Sequence, residues 1–193
     1  MRLSALFLAA LLAPGLVAAQ EEIDQSELQE LLRIKMRTVQ HMALNPALIQ
    51  AVRRQNAEHL DMNTIKQRDD EWKATKKLTP LKRSLQENNA GQMLKRYVIR
   101  NPSLNEAFLT DNQGANVAAY PATSDYWQGD EEKWTASFND GAGKLFLGPV
   151  ERDESTNTLA VQVSAPLFHQ GETIGVLVVG VTFDYLNTKR GGN

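Results

Sequence analysis

The spacing of apolar residues changes at Asn101-Pro102, and no single type of element satisfies both sides of that change. From Glu21 to about Asn101 the period is helical: Leu28, Leu32, Met36, Val39 and Met42 recur every three or four residues and form one stripe. After Pro102, short runs rich in β-branched and aromatic residues alternate with turn sequences. Long helices followed by a run of strands predict an α+β fold with an antiparallel sheet.

Within the first half, Asn45-Pro46 interrupts the stripe, because a residue before proline is pushed out of the helical region. A second helix is expected from Pro46 to Leu60 and a third from Asn63, the expected N-cap, carrying Ile65 and Trp72. The charged run DDEWKATKK reads as a solvated face. A last helical segment covers Gly91 to Arg100. In the second half, Leu104 to Thr110 and Ala115 to Tyr120 flank the turn Asp111-Asn112-Gln113-Gly114 and predict a hairpin. A short helix to about Asn139 precedes three more strands, at Leu145 to Glu151, Leu159 to Phe168 and Thr173 to Tyr185. The last two are joined by a tight turn at His169-Gln170-Gly171.

The first residues combine Arg2, an apolar run from Leu3 to Leu12, Pro14-Gly15 and small residues at Val17 and Ala19. This is the pattern of a secretory signal peptide cleaved after Ala19, which predicts a periplasmic or secreted protein. The chain has no cysteine, so packing has to stabilise it. Its net charge of −2 argues against nucleic acid or an anionic membrane as the main partner. The expected division is a signal peptide over 1–19, a helical region over 20–101, a sheet domain over 102–187 and a tail over 188–193.

Little in the chain supports catalysis. There is no Gly-x-Ser-x-Gly elbow, and the three histidines, at 41, 59 and 169, lack metal-ligand spacing. No catalytic residue, metal or cofactor is expected. The densest chemistry lies in TSDYWQGDEEKW, residues 123 to 134. There Gly129 to Glu132 read as a helix start with Asp130 as N-cap, and Trp134 and Phe138 as that helix's buried face. Tyr126 and Trp127 either plug the core or line a cleft beside Asp125 and Asp130, where a cation would fit. Lys133 and Arg152 could instead hold a ligand carboxylate, so amines, amino acids and carboxylates all remain open. Two rivals stand beside a binding protein: an acidic-site hydrolase using Asp125 and Asp153, and a structural protein with a filled core.

The order AFLTDNQGANVAAYPATSDYWQGDEEKW, LFLGPVERDEST, VQVSAPLFHQGETIGVLVVGVTFD resembles the Cache (PDC-type) extracellular sensor domains, and among them the secreted single-domain bacterial proteins. The resemblance spans about Leu104 to Leu186. It implies a PAS-like five-stranded antiparallel sheet preceded by long N-terminal helices, with a small ligand held between the sheet and an inserted loop and helix. It further implies ligand contacts from Tyr126, Trp127, Lys133, Trp134, Asp153 and Ser155, with Asp184 a weaker candidate, and the cleft reading above adds Asp125. No arginine stands between Tyr126 and Trp134, unlike the amino-acid-binding members. No output domain accompanies the sensor, so the resemblance implies a small polar metabolite as ligand and a separate membrane receptor or kinase as partner. The N-terminal helix would be the contact for that partner or for a second copy.

Overall fold

In the computed structural model, which describes residues 25–153 and 158–183, capping residues set most helix boundaries. Helix α1 (Gln25–Ala43) ends where Asn45 turns the chain, and the Asn45 side chain accepts from the Ala47 amide to open α2 (Pro46–Asn56) with proline in its first turn. Helix α3 (Met62–Lys73) is capped by Asp61, whose Oδ1 accepts the amides of Asn63 and Thr64 at 3.0 Å. The cap is therefore Asp61 rather than the expected Asn63, since a carboxylate two residues earlier satisfies two of the helix's free donors. Thr79 and Pro80 start a short helix that the apolar spacing did not announce, α4 (Pro80–Glu87). Asn88 then ends α4 and caps α5 (Asn89–Arg100) through the Gly91 amide.

The strands follow in the expected order, as β1 (Leu104–Thr110), β2 (Asn116–Tyr120), β3 (Phe146–Leu147), β4 (Glu151–Asp153), β5 (Thr158–His169) and β6 (Glu172–Thr182), with α6 (Glu132–Phe138) inserted after β2. All pairings are antiparallel and the sheet order is β2-β1-β6-β5-β3, with β4 also paired to β5. The single strand expected over Leu145 to Glu151 is thus two pieces along one edge. Between them the Gly148 amide donates to the Gln162 carbonyl at 2.9 Å, and Pro149, which has no amide hydrogen, breaks the ladder. At the other edge the chain after β2 folds back, bridging Ala115 to Trp127. Gln170 and Gly171 both have positive φ, the two-residue hairpin geometry that suits the strands' twist.

Alternation along the strands assigns two faces. Ala107, Leu109, Val163, Leu177 and Val179 face one way and pack on Val39, Leu48, Val52 and Leu94 of α1, α2 and α5. Phe108, Ala119, Val176 and Val178 face the other way, under Trp134 and Phe138 of α6. Covering on both sides explains why β6 is an almost unbroken apolar run. A third cluster joins Ile65 and Trp72 of α3 to Leu85, Ala115 and Tyr126. The charged run on α3 is therefore not wholly solvated: Asp69 is 5% exposed and Trp72 is 1% exposed. No helix among the described residues is long and apolar enough to cross a membrane. The anticipated signal peptide, Ser155, Asp184 and the C-terminal tail lie outside the described residues.

Candidate ligand-binding site

The α6 face of the sheet is apolar at one end and polar at the other. Glu106 on β1 pairs with Gly180 on β6, and Gly180 pairs in turn with Gln162 on β5, which puts the three residues in one row. Gly180 has no side chain, so Gln162 Nε2 reaches across it and donates to Glu106 Oε1 at 2.8 Å. A Cβ at position 180 would lie 2.5 Å from Glu106 Cγ and 3.0 Å from Oε1. Above this row opens a cavity of about 400 Å³. Its floor is Glu106, Gln162 and Gly180, Lys133 of α6 lies on one side, and Phe146, Pro149 and Glu151 of the broken edge lie on the other. The interruption at Gly148-Pro149 thus forms part of the wall.

Helix α6 is held over the sheet by its aromatic residues. Trp134 stacks on Phe138 with ring centroids 4.7 Å apart, and the two cover Phe108, Val176 and Val178. The Lys133 ammonium lies 5.7 Å from the Phe108 ring centroid, within cation–π range. The helix's N-cap is Glu131, not Asp130, and no side chain bonds to the free amides there. Glu131 and Glu132 consequently stay available to the cavity, which both of them line.

The loop before α6 is turned toward α3. Asp69 Oδ1 accepts the backbone amides of Tyr126 at 2.8 Å and Trp127 at 3.0 Å. Tyr126 is 1% exposed, its ring lies 5.9 Å from that of Trp72, and its hydroxyl accepts from Arg68 at 3.4 Å. Burial pushes its phenol pKa up and keeps it neutral. The Trp127 indole donates to the Gln113 carbonyl at 2.8 Å, and Lys66 lies over its ring at 5.6 Å. The Asp125 carboxylate accepts from the Gln128 amide and the Ser124 hydroxyl. Tyr126 thus fills the core, the other of its two sequence readings, and the exposed side of Trp127 is met by the chain's own lysine.

Of the eight residues anticipated for ligand contact, the cavity takes Lys133. Trp134 supports the helix that carries it, Tyr126 and Trp127 are clasped to α3 through Asp69, and Asp125 is bonded within its own loop. Asp153 ends β4, two residues beyond Glu151. Among the described residues, no group of three or more histidine, cysteine, aspartate or glutamate side chains is placed to hold a metal ion. Sequence reasoning missed Glu106, Gln162 and Glu151 as lining residues. A signal was present: Glu106 and Gln162 are polar residues within otherwise apolar strands, with a glycine in the strand between them.

No family model matches the chain, and no curated protein matches it. Solved structures do. The ligand-binding domain of the Pseudomonas aeruginosa PAO1 amino acid chemoreceptor PctC, in complex with GABA, is 15% identical with a TM-score of 0.45, over 84% of this chain and 57% of that one. The sensor domain of the Vibrio cholerae histidine kinase DctB is 13% identical with a TM-score of 0.42, over 81% of this chain and 50% of that one. The sensory domain of the Campylobacter jejuni chemoreceptor Tlp3 with isoleucine bound is 16% identical with a TM-score of 0.38, over 86% of this chain and 66% of that one. The chain therefore spans between half and two thirds of the length of these neighbours. All three neighbours are ligand-binding or sensory domains, two of chemoreceptors and one of a histidine kinase.

Proposed function

We propose that this chain is a non-catalytic sensor domain acting outside the cytoplasmic membrane, which binds a small polar metabolite between its sheet and α6. The observation that carries the reading is the cavity of about 400 Å³ over the Glu106–Gly180–Gln162 row, a size that suits a metabolite. Its lining mixes carboxylates, two amides and a lysine with Phe146 and Pro149, as a site that both orients and buries a ligand requires. Residues 102–187 are the sensor unit in this reading, and residues 20–101 are helices packed on it. Residues 1–19 are a signal removed on export. Lys133 is assigned to ligand contact and Trp134 to the support of α6, with Asp125, Tyr126 and Trp127 acting on the ligand through the loop's position. Asp153, Ser155 and Asp184 remain candidates for the same site.

The output passes to a separate receptor or kinase, with α1 as the contact for it or for a second copy. Ligand occupancy would shift a two-state arrangement of that contact. A thermal-shift screen of amines, amino acids and carboxylates tests the reading. A true ligand at a hundredfold excess over its Kd stabilises the protein by about 2 to 3 kcal/mol. The shift is expected to shrink in Gln162→Ala and to change in Lys133→Ala in the direction set by the ligand's charge. A screen without any saturable shift, or a shift indifferent to both substitutions, would sink the proposal and favour a structural role.

A further inference from the structure

From the charge and the apolar lining of the same cavity we infer that its ligand is a small organic cation, an amine or guanidine carrying no carboxylate of its own. The inference rests on the cavity being a ligand site. Among the described residues the lining brings four carboxylates, of Glu106, Glu131, Glu132 and Glu151, against one cation, Lys133. Negative charge lining a concave, partly apolar surface concentrates cations and repels carboxylates. An amino acid or dicarboxylate would need a cationic partner, and Lys133 is flanked on its own helix turn by Glu131 and Glu132.

A second observation is the apolar side of the lining. Phe146 and Pro149 supply the apolar contact that a short methylene body needs. A bare divalent cation does not fit, because the described carboxylates form no group of three or more around a common point.

A four-carbon series that differs only in its end groups tests the inference by calorimetric titration of the full chain. 1,4-Diaminobutane and n-butylamine are expected to bind, 4-aminobutanoate more weakly, and butanedioate not at all. Glu106→Gln, which preserves the contact to Gln162, should weaken the diamine about tenfold, the loss of one charge-assisted bond. Lys133→Ala should tighten it several-fold. Tighter binding of 4-aminobutanoate or butanedioate would overturn the cation assignment and leave the sensor reading standing. Amine binding unchanged in Glu106→Gln and Glu151→Gln would mean surface attraction only, and would also overturn it. Silence from this series, with a saturable shift from another compound in the broad screen, would overturn the assignment alone. Silence from both would overturn the sensor reading with it.

Discussion

Asp69 fastens the loop that leads to α6: its Oδ1 takes the amide hydrogen of Tyr126 at 2.8 Å, and that of the next residue as well. Removing this acceptor leaves a buried donor unpaired, and each such loss costs about 1–3 kcal/mol. Asp69→Ala should therefore destabilise the protein by about 2–4 kcal/mol in urea unfolding. Asp69→Asn keeps an acceptor oxygen and should cost about half as much or less. Lys73, paired with Asp69 but half-exposed, should be replaceable by alanine with little effect.

The indole N–H of Trp72 donates to the Thr123 carbonyl at 2.9 Å, a second tie between α3 and the same loop. Trp72→Phe preserves an aromatic ring against Tyr126 but leaves that carbonyl without this donor. A loss of about 1–2 kcal/mol is expected, visible as a lowered thermal midpoint with the fold retained by circular dichroism.

Asp111 closes the β1–β2 turn, accepting the amides of Gln113 and Ala115 at 2.9 Å and the Gln55 amide at 2.8 Å. Burial nevertheless raises its pKa above the usual aspartate range, and this outweighs the lowering effect of its hydrogen bonds. The folded state thus holds this proton more tightly than the unfolded chain does. The contribution of Asp111 to stability is fully present below about pH 3.9, the unfolded value. It is lost as the pH rises through the higher folded value. Asp111→Asn cannot titrate, so the stability of the variant relative to wild type should rise over that interval and then level off. Chemical unfolding at a series of pH values above 3.9 checks the sign; a relative stability that falls over the interval would contradict it.

Two glycines in β6 should respond oppositely to alanine. At Gly175 an added Cβ would lie 2.1 Å from the Thr110 carbonyl oxygen, which is backbone of the neighbouring strand and cannot step aside. Gly175→Ala should cost about 3 kcal/mol or more, or prevent folding. At Gly180 the obstructing atoms belong to the Asn105 and Glu106 side chains and not to backbone, so a change of rotamer can clear them. Gly180→Ala should change stability by no more than about 1 kcal/mol, while it separates Gln162 from Glu106 and weakens ligand binding in titration.

These contrasts mark where the sequence was readable. The helical stripe from Leu28 to Met42, the Asp111 turn and the apolar β6 run were legible because each depends on local periodicity or turn chemistry. The row of Glu106, Gly180 and Gln162 was not, because it joins residues far apart in sequence through strand register, which no single segment carries. Asp69 was hidden for a similar reason. A carboxylate in a charged helix looks solvated until a distant loop presents its amides to it. Gly148-Pro149 could have been read as a break in the edge strand, since proline cannot donate to a ladder. The apolar residues on either side gave the opposite impression.

The break at Gly148-Pro149 bears on how this protein keeps apart from its own copies. A long, regular edge strand offers free amides and carbonyls to any other chain. Here one edge is cut into pieces of two and three residues with a proline between them, and the loop that bridges Ala115 to Trp127 lies against the other. The same irregularity that walls the cavity therefore discourages strand-to-strand aggregation. Restoring a continuous edge, for instance by Pro149→Val, would be expected to raise the tendency to self-associate as well as to alter the site.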